Sequence, residues 1–422
     1  MFSQHSDRRI AMLSVHTCPL AALGGKKTGG MNVYVRELSR ELGARGFHVD
    51  VFTRSQNPCV PHITSGDIAP GVRVIHIPAG PEEPLSTRVL YPHLPQFAEG
   101  VLQFAEAQGI SYDVIHSHYW LSGWVAERLR EAWHVPFVQM FHTLGHMKNR
   151  VALNDEEREP PLRLQTETQL VKNADALVAA TPAERIQLMW LYKASIEKIH
   201  VIPPGVDLNH FRPVEMMEAR RAINVPLVDK MLLFVGRIEP LKGIDTLIRA
   251  IALLRQSTSA ALCKKMYLVI IGGSPPGEVE DDEDLELRRL KALCAKLGLD
   301  DLVTFLGAKS QQTLPYYYSA AEAVIMPSHY ESFGMVALEA MACGTPVVTS
   351  EVGGLAYLVQ DGVTGFHVPT GDPEELASRI QLILERPELR QELSQSAIRH
   401  AQGYSWQHVA DQVQKLYQRI LQ

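Results

Sequence analysis

The chain has little of what marks several whole classes of protein. Its five cysteines, Cys18, Cys59, Cys263, Cys294 and Cys343, are scattered and form no C-x-x-C pair. That excludes a zinc ribbon or a disulfide framework as the organising device and fits a reducing cytoplasm. No apolar run reaches the eighteen or so residues that cross a bilayer. The polar opening MFSQHSDRR runs straight into a strand, so neither a signal peptide nor a membrane anchor is expected. Charge of one sign is not in excess: 41 Lys and Arg face 47 Asp and Glu, a formal net charge of −6. A broad surface for nucleic acid or anionic membrane is therefore not expected. Lipid as a binding partner is disfavoured as well, because no strongly basic amphipathic helix occurs. Short-period repeats and low-complexity tracts are also missing.

What is present is ample material for two cores, in 422 residues of which 46% are hydrophobic. Arg9 to Val15 reads as a strand, HTCPLAALGGKKTGG as a loop, MNVYVRELSRELGARG as an amphipathic helix ending at Gly46, and HVDVFTR as the next strand. This order opens a doubly wound α/β domain. The loop is neither a G-x-G-x-x-G fingerprint nor a P-loop. Gly29 and Gly30 sit at its helix end, where bare backbone can approach an anion. The strand YDVIHSHYW carries His116, His118, Tyr119 and Trp120 at its carboxyl end. VPFVQMFHTLGHMKNR reads as a further strand ending in His142 and Thr143, followed by basic Lys148 and Arg150. Open α/β sheets bind ligands at such carboxyl ends. A metal between the two histidine-ended strands lacks a carboxylate or cysteine to complete its ligand set.

Composition shifts between about residues 205 and 225, where RPVEMMEARRAINVP follows a Pro-Pro-Gly turn. The expected domains are therefore 1–205 and 206–399, each Rossmann-like, with a last amphipathic helix over about 400–422. The second half restarts the alternation with the strand KMLLFVGRI, the loop EPLKG and the helix IDTLIRAIALLRQ. Arg237 falls at the carboxyl end of that strand and Lys242 lies five residues on. Together they suit a diphosphate clamp, a fork-shaped guanidinium beside a compact ammonium.

The stretch around which the half is organised is PSHYESFGMVALEAMACGTPVV, Pro327 to Val348. It reads as a strand end, a turn at Phe333 and Gly334, a helix from Met335 to about Cys343, and another strand after Pro346. Backbone N–H groups at Gly334, Met335 and Val336 would point at an anion. Glu331 stands just before the helix. Glu339 stands inside MVALEAMA, where a carboxylate needs a partner from a ligand hydroxyl or a distant side chain. Asp282-Glu283-Asp284 matches a D-x-D pattern that can hold a metal ion, but its acidic run at a helix start reads as a solvated face.

The E-x7-E spacing of Glu331 and Glu339 within ESFGMVALEAMACGTPVV resembles the retaining GT-B glycosyltransferases of the glycogen-synthase and sucrose-phosphate-synthase kind, over nearly the whole chain. The resemblance implies two Rossmann-like domains facing across a cleft, with the last helix crossing back to the N-terminal domain. It implies donor contacts from Gly30, Arg237, Lys242, Lys309, Glu331, Phe333, Gly334, Met335, Val336 and Glu339, with Lys309 beside the base and Glu339 on the ribose. It places His142 beside the reacting sugar, so that His142, Arg237, Lys242 and Glu331 form the catalytic set.

The acceptor is expected on Gly29, Gly30, Asn32, His118, Tyr119, His142 and Thr143. Arg88, Lys148, Arg150 and Arg163 are candidates for its phosphate, though each alone reads as a surface cation. The segments HTCPLAALGGKKTGGMNVYV, HSHYW and HTLGHMKN resemble two kinds of member. One transfers glucose to fructose 6-phosphate; the other transfers N-acetylglucosamine to inositol phosphate. The overall resemblance leans to the first, with UDP-glucose as donor.

No metal or other cofactor is expected, Arg237 and Lys242 standing in for the cation. The partners are small-molecule substrates, without nucleic acid or stable membrane association, and the oligomeric state stays open. An epimerase, a phosphorylase or a nucleotide-sugar-binding regulator on the same architecture remains an alternative.

Overall fold

The computed structural model describes residues 8–21, 29–152, 155, 157–257, 265–273 and 281–422. Residues 22–28 of the loop after the first strand therefore lie outside the described residues, as do Cys263 and the side chains of Asp282, Glu283 and Asp284. The chain divides into two compact units. The first contains the segment ending at Ala21, Gly30–Pro204 and Trp406–Gln422; the second contains Gly205–Ser405. Residues 400–405, expected with the last helix, stay with the second unit.

The first unit carries strands β1 (Arg9–Leu13), β2 (His48–Arg54), β3 (Ile63–Ser65), β4 (Val72–Ile77), β5 (Val114–His118), β6 (Phe137–Met140), β7 (Ala176–Ala179) and β8 (Ile199–Val201). They form one sheet in the order β3-β4-β2-β1-β5-β6-β7-β8. All pairs are parallel except β3 with β4. Strands covered on both faces read as unbroken apolar runs, and Ile10 to Leu13 of β1 are fully buried. The chain winds outward from β1 to β2 and then returns to β5 on the other side. The switch point thus lies at the carboxyl ends of β1 and β5, where this fold leaves a crevice for ligands.

Two elements differ from expectation. β5 stops at His118, and Tyr119 opens the helix Tyr119–Trp133 with φ 75. The segment after β6, expected to continue as strand, turns at His142 (φ 60) into the helix Gly145–Val151.

The helix Trp406–Ile420 buries Trp406, Val409, Ala410, Val413, Leu416 and Tyr417, the stripe expected from its helical spacing. It packs on the helix Gly30–Ala44 within the same unit. Trp406 meets Tyr34 edge-on at 5.4 Å between ring centroids, and the Tyr417 hydroxyl is 2.7 Å from His116 Nδ1.

The second unit carries β9 (Lys230–Val235), β10 (Met266–Ile271), β11 (Val303–Phe305), β12 (Ala323–Met326), β13 (Val347–Ser350) and β14 (Gly365–Val368). These make an all-parallel sheet in the order β11-β10-β9-β12-β13-β14. Here the switch point falls between β9 and β12, so the loops bearing Arg237 and Lys242 on one side and Glu331 on the other emerge next to each other. Helices cover the core, among them Ile244–Ser257 and Pro373–Glu385, which pack together. The helix Pro387–Ala401, unmarked by the sequence pattern, docks on Met335–Ala342.

Candidate active site

In the second unit the chain leaves β9 at Val235 and makes a short turn over Pro240–Lys242. Gly243 follows with φ 64, and a Cβ there would collide with the carbonyl oxygen of Pro327. The two switch-point loops therefore touch backbone to backbone. A hydrogen bond from the His329 amide to the Leu241 carbonyl, 2.9 Å, ties them together. The approach brings Lys242 Nζ to 2.6 Å from Glu331 Oε2, with both side chains largely buried. Glu331 is thus the partner of a cation from the neighbouring loop as well as a residue before a helix. Arg237 lies on the same loop as Lys242, is 44% exposed, and pairs with Glu239 at 2.8 Å.

The helix Met335–Ala342 starts at Gly334, whose φ of 102 and ψ of 54 only glycine adopts easily, and no side chain caps it. Gly353 and Gly354 support the turn before it. A Cβ on Gly353 would strike the Glu331 carbonyl and one on Gly354 would strike the Phe333 backbone, while the Gly354 amide donates to Glu331 O at 2.9 Å. Phe333 is buried. Glu339, expected to need a partner from outside its own helix, accepts a hydrogen bond from the Tyr318 hydroxyl at 2.7 Å. Burial, and then the Glu339 carboxylate, hold that phenol well above its usual range. Lys309 follows β11, at the carboxyl edge of the sheet, and is half-buried.

In the first unit the loop after β1 is clipped by Asn32. Its side-chain amide donates to Thr17 Oγ1 at 2.5 Å and to the Cys18 carbonyl at 2.7 Å, and the residue is buried. Asn32 therefore shapes the loop from within. Among the described residues, no atom lies within 4 Å of a Cβ placed on Gly29.

At the carboxyl end of β5, His118 is fully buried and faces two partners. Its Nδ1 is 2.9 Å from His142 Nε2, and its Nε2 lies against the Met12 sulfur at 2.9 Å. A thioether can only accept, so His118 carries its proton on Nε2 and presents a bare Nδ1. His142 Nε2 must then donate to it, which leaves His142 Nδ1 as an acceptor. Burial pushes the His142 imidazole down to about 3, helped by His116 and His16, and takes His118 well below its usual value. His142 is therefore neutral near pH 7, suited to receiving a hydroxyl hydrogen bond and not to donating a proton as an acid. Tyr34 packs its ring against His118, His142 and Trp406.

Beside this pair lies a knot of charge. The guanidinium of Arg163, completely buried, donates from Nε to Glu167 Oε1 (2.7 Å), from Nη1 to the Tyr119 hydroxyl (3.0 Å), and from Nη2 to Thr143 O (2.8 Å) and Oγ1 (3.1 Å). The reading of Arg163 as a surface cation is thereby corrected. Glu159 Oε1 bridges Lys148 Nζ and Arg163 Nη1, the latter at 3.1 Å. Burial opposes ionisation of Glu159, but Arg163 and Lys148 hold its carboxyl below the usual range. Tyr119, Thr143, Lys148 and Arg163 are thus brought together, whereas Arg88 and Arg150 are exposed side chains. Among the described residues no group of three or more His, Cys, Asp or Glu is placed to hold a metal ion, and no helix is long and apolar enough to cross a membrane.

Sequence reasoning missed Tyr318, Glu159, Glu167 and the Gly353-Gly354 pair. Only the double glycine carried a local signal, as a turn beside the Glu331 loop.

Comparison with known proteins adds the family. Residues 216–400 match the Glycosyl transferases group 1 family, and residues 29–205 match the Glycosyl transferase 4-like domain. The chain is 44% identical to the D-inositol 3-phosphate glycosyltransferase of Saccharomonospora viridis, over 98% of its length and 94% of that protein. The protein of the same name from Kribbella flavida is also 44% identical, over 96% and 93%. Among solved structures, sucrose-phosphate synthase from Thermosynechococcus elongatus superposes with a TM-score of 0.89 at 37% identity, covering 98% of this chain and 99% of that one. HepE of Anabaena, solved in complex with UDP and glucose, shares the fold at 21% identity with a TM-score of 0.75, over 98% and 100%. With two Rossmann-like units built on parallel sheets, the chain belongs to the group 1 glycosyltransferases of GT-B fold.

Proposed function

We propose that this glycosyltransferase moves a hexosyl group, with retention, from a nucleotide diphosphate to a small phosphorylated acceptor, inositol 3-phosphate, with UDP-N-acetylglucosamine as donor. The observation that carries the reading is the knot in the first unit. Two cations, a tyrosine hydroxyl and a threonine hydroxyl converge at Lys148, Arg163, Tyr119 and Thr143, and the cations already hold two carboxylates, Glu159 and Glu167. A phosphate monoester offers the same donors more charge and more acceptor oxygens. Arg88 and Arg150 add attraction at longer range. The choice of a cyclitol over the expected fructose 6-phosphate is supported by relatives at 44% identity across almost the whole chain.

In the second unit the diphosphate is taken by Arg237, Lys242 and the uncapped N–H groups of Met335 and Val336. Lys242 then shares or exchanges Glu331, which accepts from donor-sugar hydroxyls, and Glu339 takes the ribose hydroxyls, with Lys309 beside the base. Chemistry follows one face of the sugar. The anomeric carbon–phosphate oxygen bond breaks, negative charge gathers on the leaving diphosphate, and the fixed cations stabilise it without reorganising. The departing phosphate oxygen takes the acceptor hydroxyl proton as the new bond forms on the same face. His142, neutral and with Nδ1 accepting, orients a donor-sugar hydroxyl. No divalent metal is needed, because Arg237 and Lys242 meet the charge that a metal would.

Transfer of glucose to fructose 6-phosphate is the second reading, favoured by the close superposition on sucrose-phosphate synthase. A panel of inositol 3-phosphate, fructose 6-phosphate, inositol and fructose, offered with UDP-N-acetylglucosamine and UDP-glucose, separates the two by product mass. Product from inositol 3-phosphate and none from unphosphorylated inositol is expected. Product from fructose 6-phosphate alone would move the assignment to the second reading.

A further inference from the structure

Two carboxylates touch Arg163, and they are held differently. Glu167 is fully buried and accepts from Arg163 Nε, from the Gly145 amide at 3.0 Å and from the Tyr192 hydroxyl, so it is built into the core. Glu159 is partly exposed, at 13% for its side chain, and pairs with Lys148 and Arg163 through Oε1. Its backbone is moored separately, the Glu159 amide donating to Asn149 Oδ1 at 2.7 Å. The carboxylate can therefore swing to water without the chain letting go. With Glu159 in place the knot carries two cations and two carboxylates and has no formal excess of charge; with it displaced, one positive charge is left over.

We propose that Glu159 is an internal counter-anion that occupies the place of the acceptor phosphate and is exchanged for it on binding. This rests on the reading of Lys148 and Arg163 as the phosphate site. The exchange makes Glu159 a specificity-determining residue. A neutral hydroxyl cannot compete with a carboxylate for two cations, whereas a phosphate dianion can. In the absence of acceptor, the same carboxylate keeps a buried guanidinium and an ammonium paired, which an empty site would leave at a cost.

The test is Glu159→Gln, which keeps the side chain's shape and an oxygen acceptor but removes the competing charge. The KM for the phosphorylated acceptor is expected to fall by roughly tenfold, with the KM for the nucleotide sugar unchanged. Inorganic phosphate, titrated calorimetrically, should bind the variant more tightly by a similar factor. An acceptor KM that is unchanged or raised, in a variant with wild-type melting behaviour, would overturn the proposal. Should Glu159→Gln fold poorly, Glu159→Asp, one methylene shorter and unable to bridge both cations, is expected to shift KM in the same direction. If the wild type shows no preference for the phosphorylated acceptor over its unphosphorylated form, the phosphate site itself is wrong. If the preference holds and the Gln variant binds no tighter, only the counter-anion role fails.

Discussion

Removing Lys242 should separate two roles that its position combines. Its ammonium is 2.6 Å from Glu331 with both side chains under 20% exposed, at 14% and 16%. Lys242→Met takes away one fixed positive group from the leaving diphosphate. Loss of one such preorganised contact lowers turnover by about 10²–10³-fold. The same change strands the Glu331 carboxylate, and an uncompensated, mostly buried acceptor costs roughly 1–3 kcal/mol. In a unit of this size that corresponds to a melting transition lowered by about 2–12 °C. Arg237→Ala provides the contrast. Its guanidinium is 44% exposed and pairs with Glu239 near the surface, so its removal should change stability by less than about 0.5 kcal/mol while still cutting turnover. Adding Glu331→Gln to the Lys242→Met variant removes the stranded charge and should restore the melting transition without restoring activity. Scanning calorimetry and steady-state nucleotide release read the two effects independently. Wild-type turnover in either single variant would refute the clamp, and equal destabilisation by both would refute the assignment of burial.

Gly243→Ala places a methyl group against the Pro327 carbonyl and strains a residue at φ 64; a loss of about 2–4 kcal/mol and a raised nucleotide-sugar KM are expected from urea melts and kinetics. The buried histidines predict acid sensitivity. Burial depresses His16 to about 4 and His116 and His142 to about 3, so the unfolded chain binds protons that the folded one does not. Stability should hold above pH ~6.5 and fall as pH drops toward 3, by up to about 1.4 kcal/mol per pH unit for each histidine. Glu184, raised by burial to about 7, gains a proton on folding and offsets part of that loss. Urea midpoints between pH 4 and 8 give the slope; a flat profile would contradict the burial of these rings. Chelation with EDTA should leave turnover unchanged, since the clamp is made of side chains, and a metal-dependent rate restored by Mg²⁺ would overturn the metal-free scheme.

Much of the second unit was legible because its features are local. A strand, a turn at Gly334 and a short apolar helix follow from periodicity and from glycine and proline punctuation in one stretch of sequence. Lys242 lies 89 residues from its partner Glu331, yet both sit beside strand carboxyl ends, which the alternating pattern marks. What could not be read was which distant groups meet. Tyr318 reaches Glu339 because two helices pack, and nothing in PYYYSA distinguishes one tyrosine from its neighbours. Glu159 lies in NDEEREPP, which looks like a solvated loop, and its role depends on Arg163 being buried. Tyr119 falls at the end of YDVIHSHYW, which reads as strand throughout; its left-handed φ comes from the abrupt turn into the next helix. The seven residues from Gly145 to Val151 are too short for a helical period to show. His142 could be picked out by position, but its acceptor tautomer depends on the Met12 sulfur behind His118.

In the mechanism proposed, an activated sugar is passed to an acceptor recognised by its phosphate. The most direct measurement is the rate of UDP release from UDP-N-acetylglucosamine, with inositol 3-phosphate in one series and inositol in the other, and the anomeric configuration of the product read by NMR. Release that needs the phosphorylated acceptor, and a product with the donor's configuration retained, are expected. Equal release with both acceptors, or an inverted product, would contradict that mechanism.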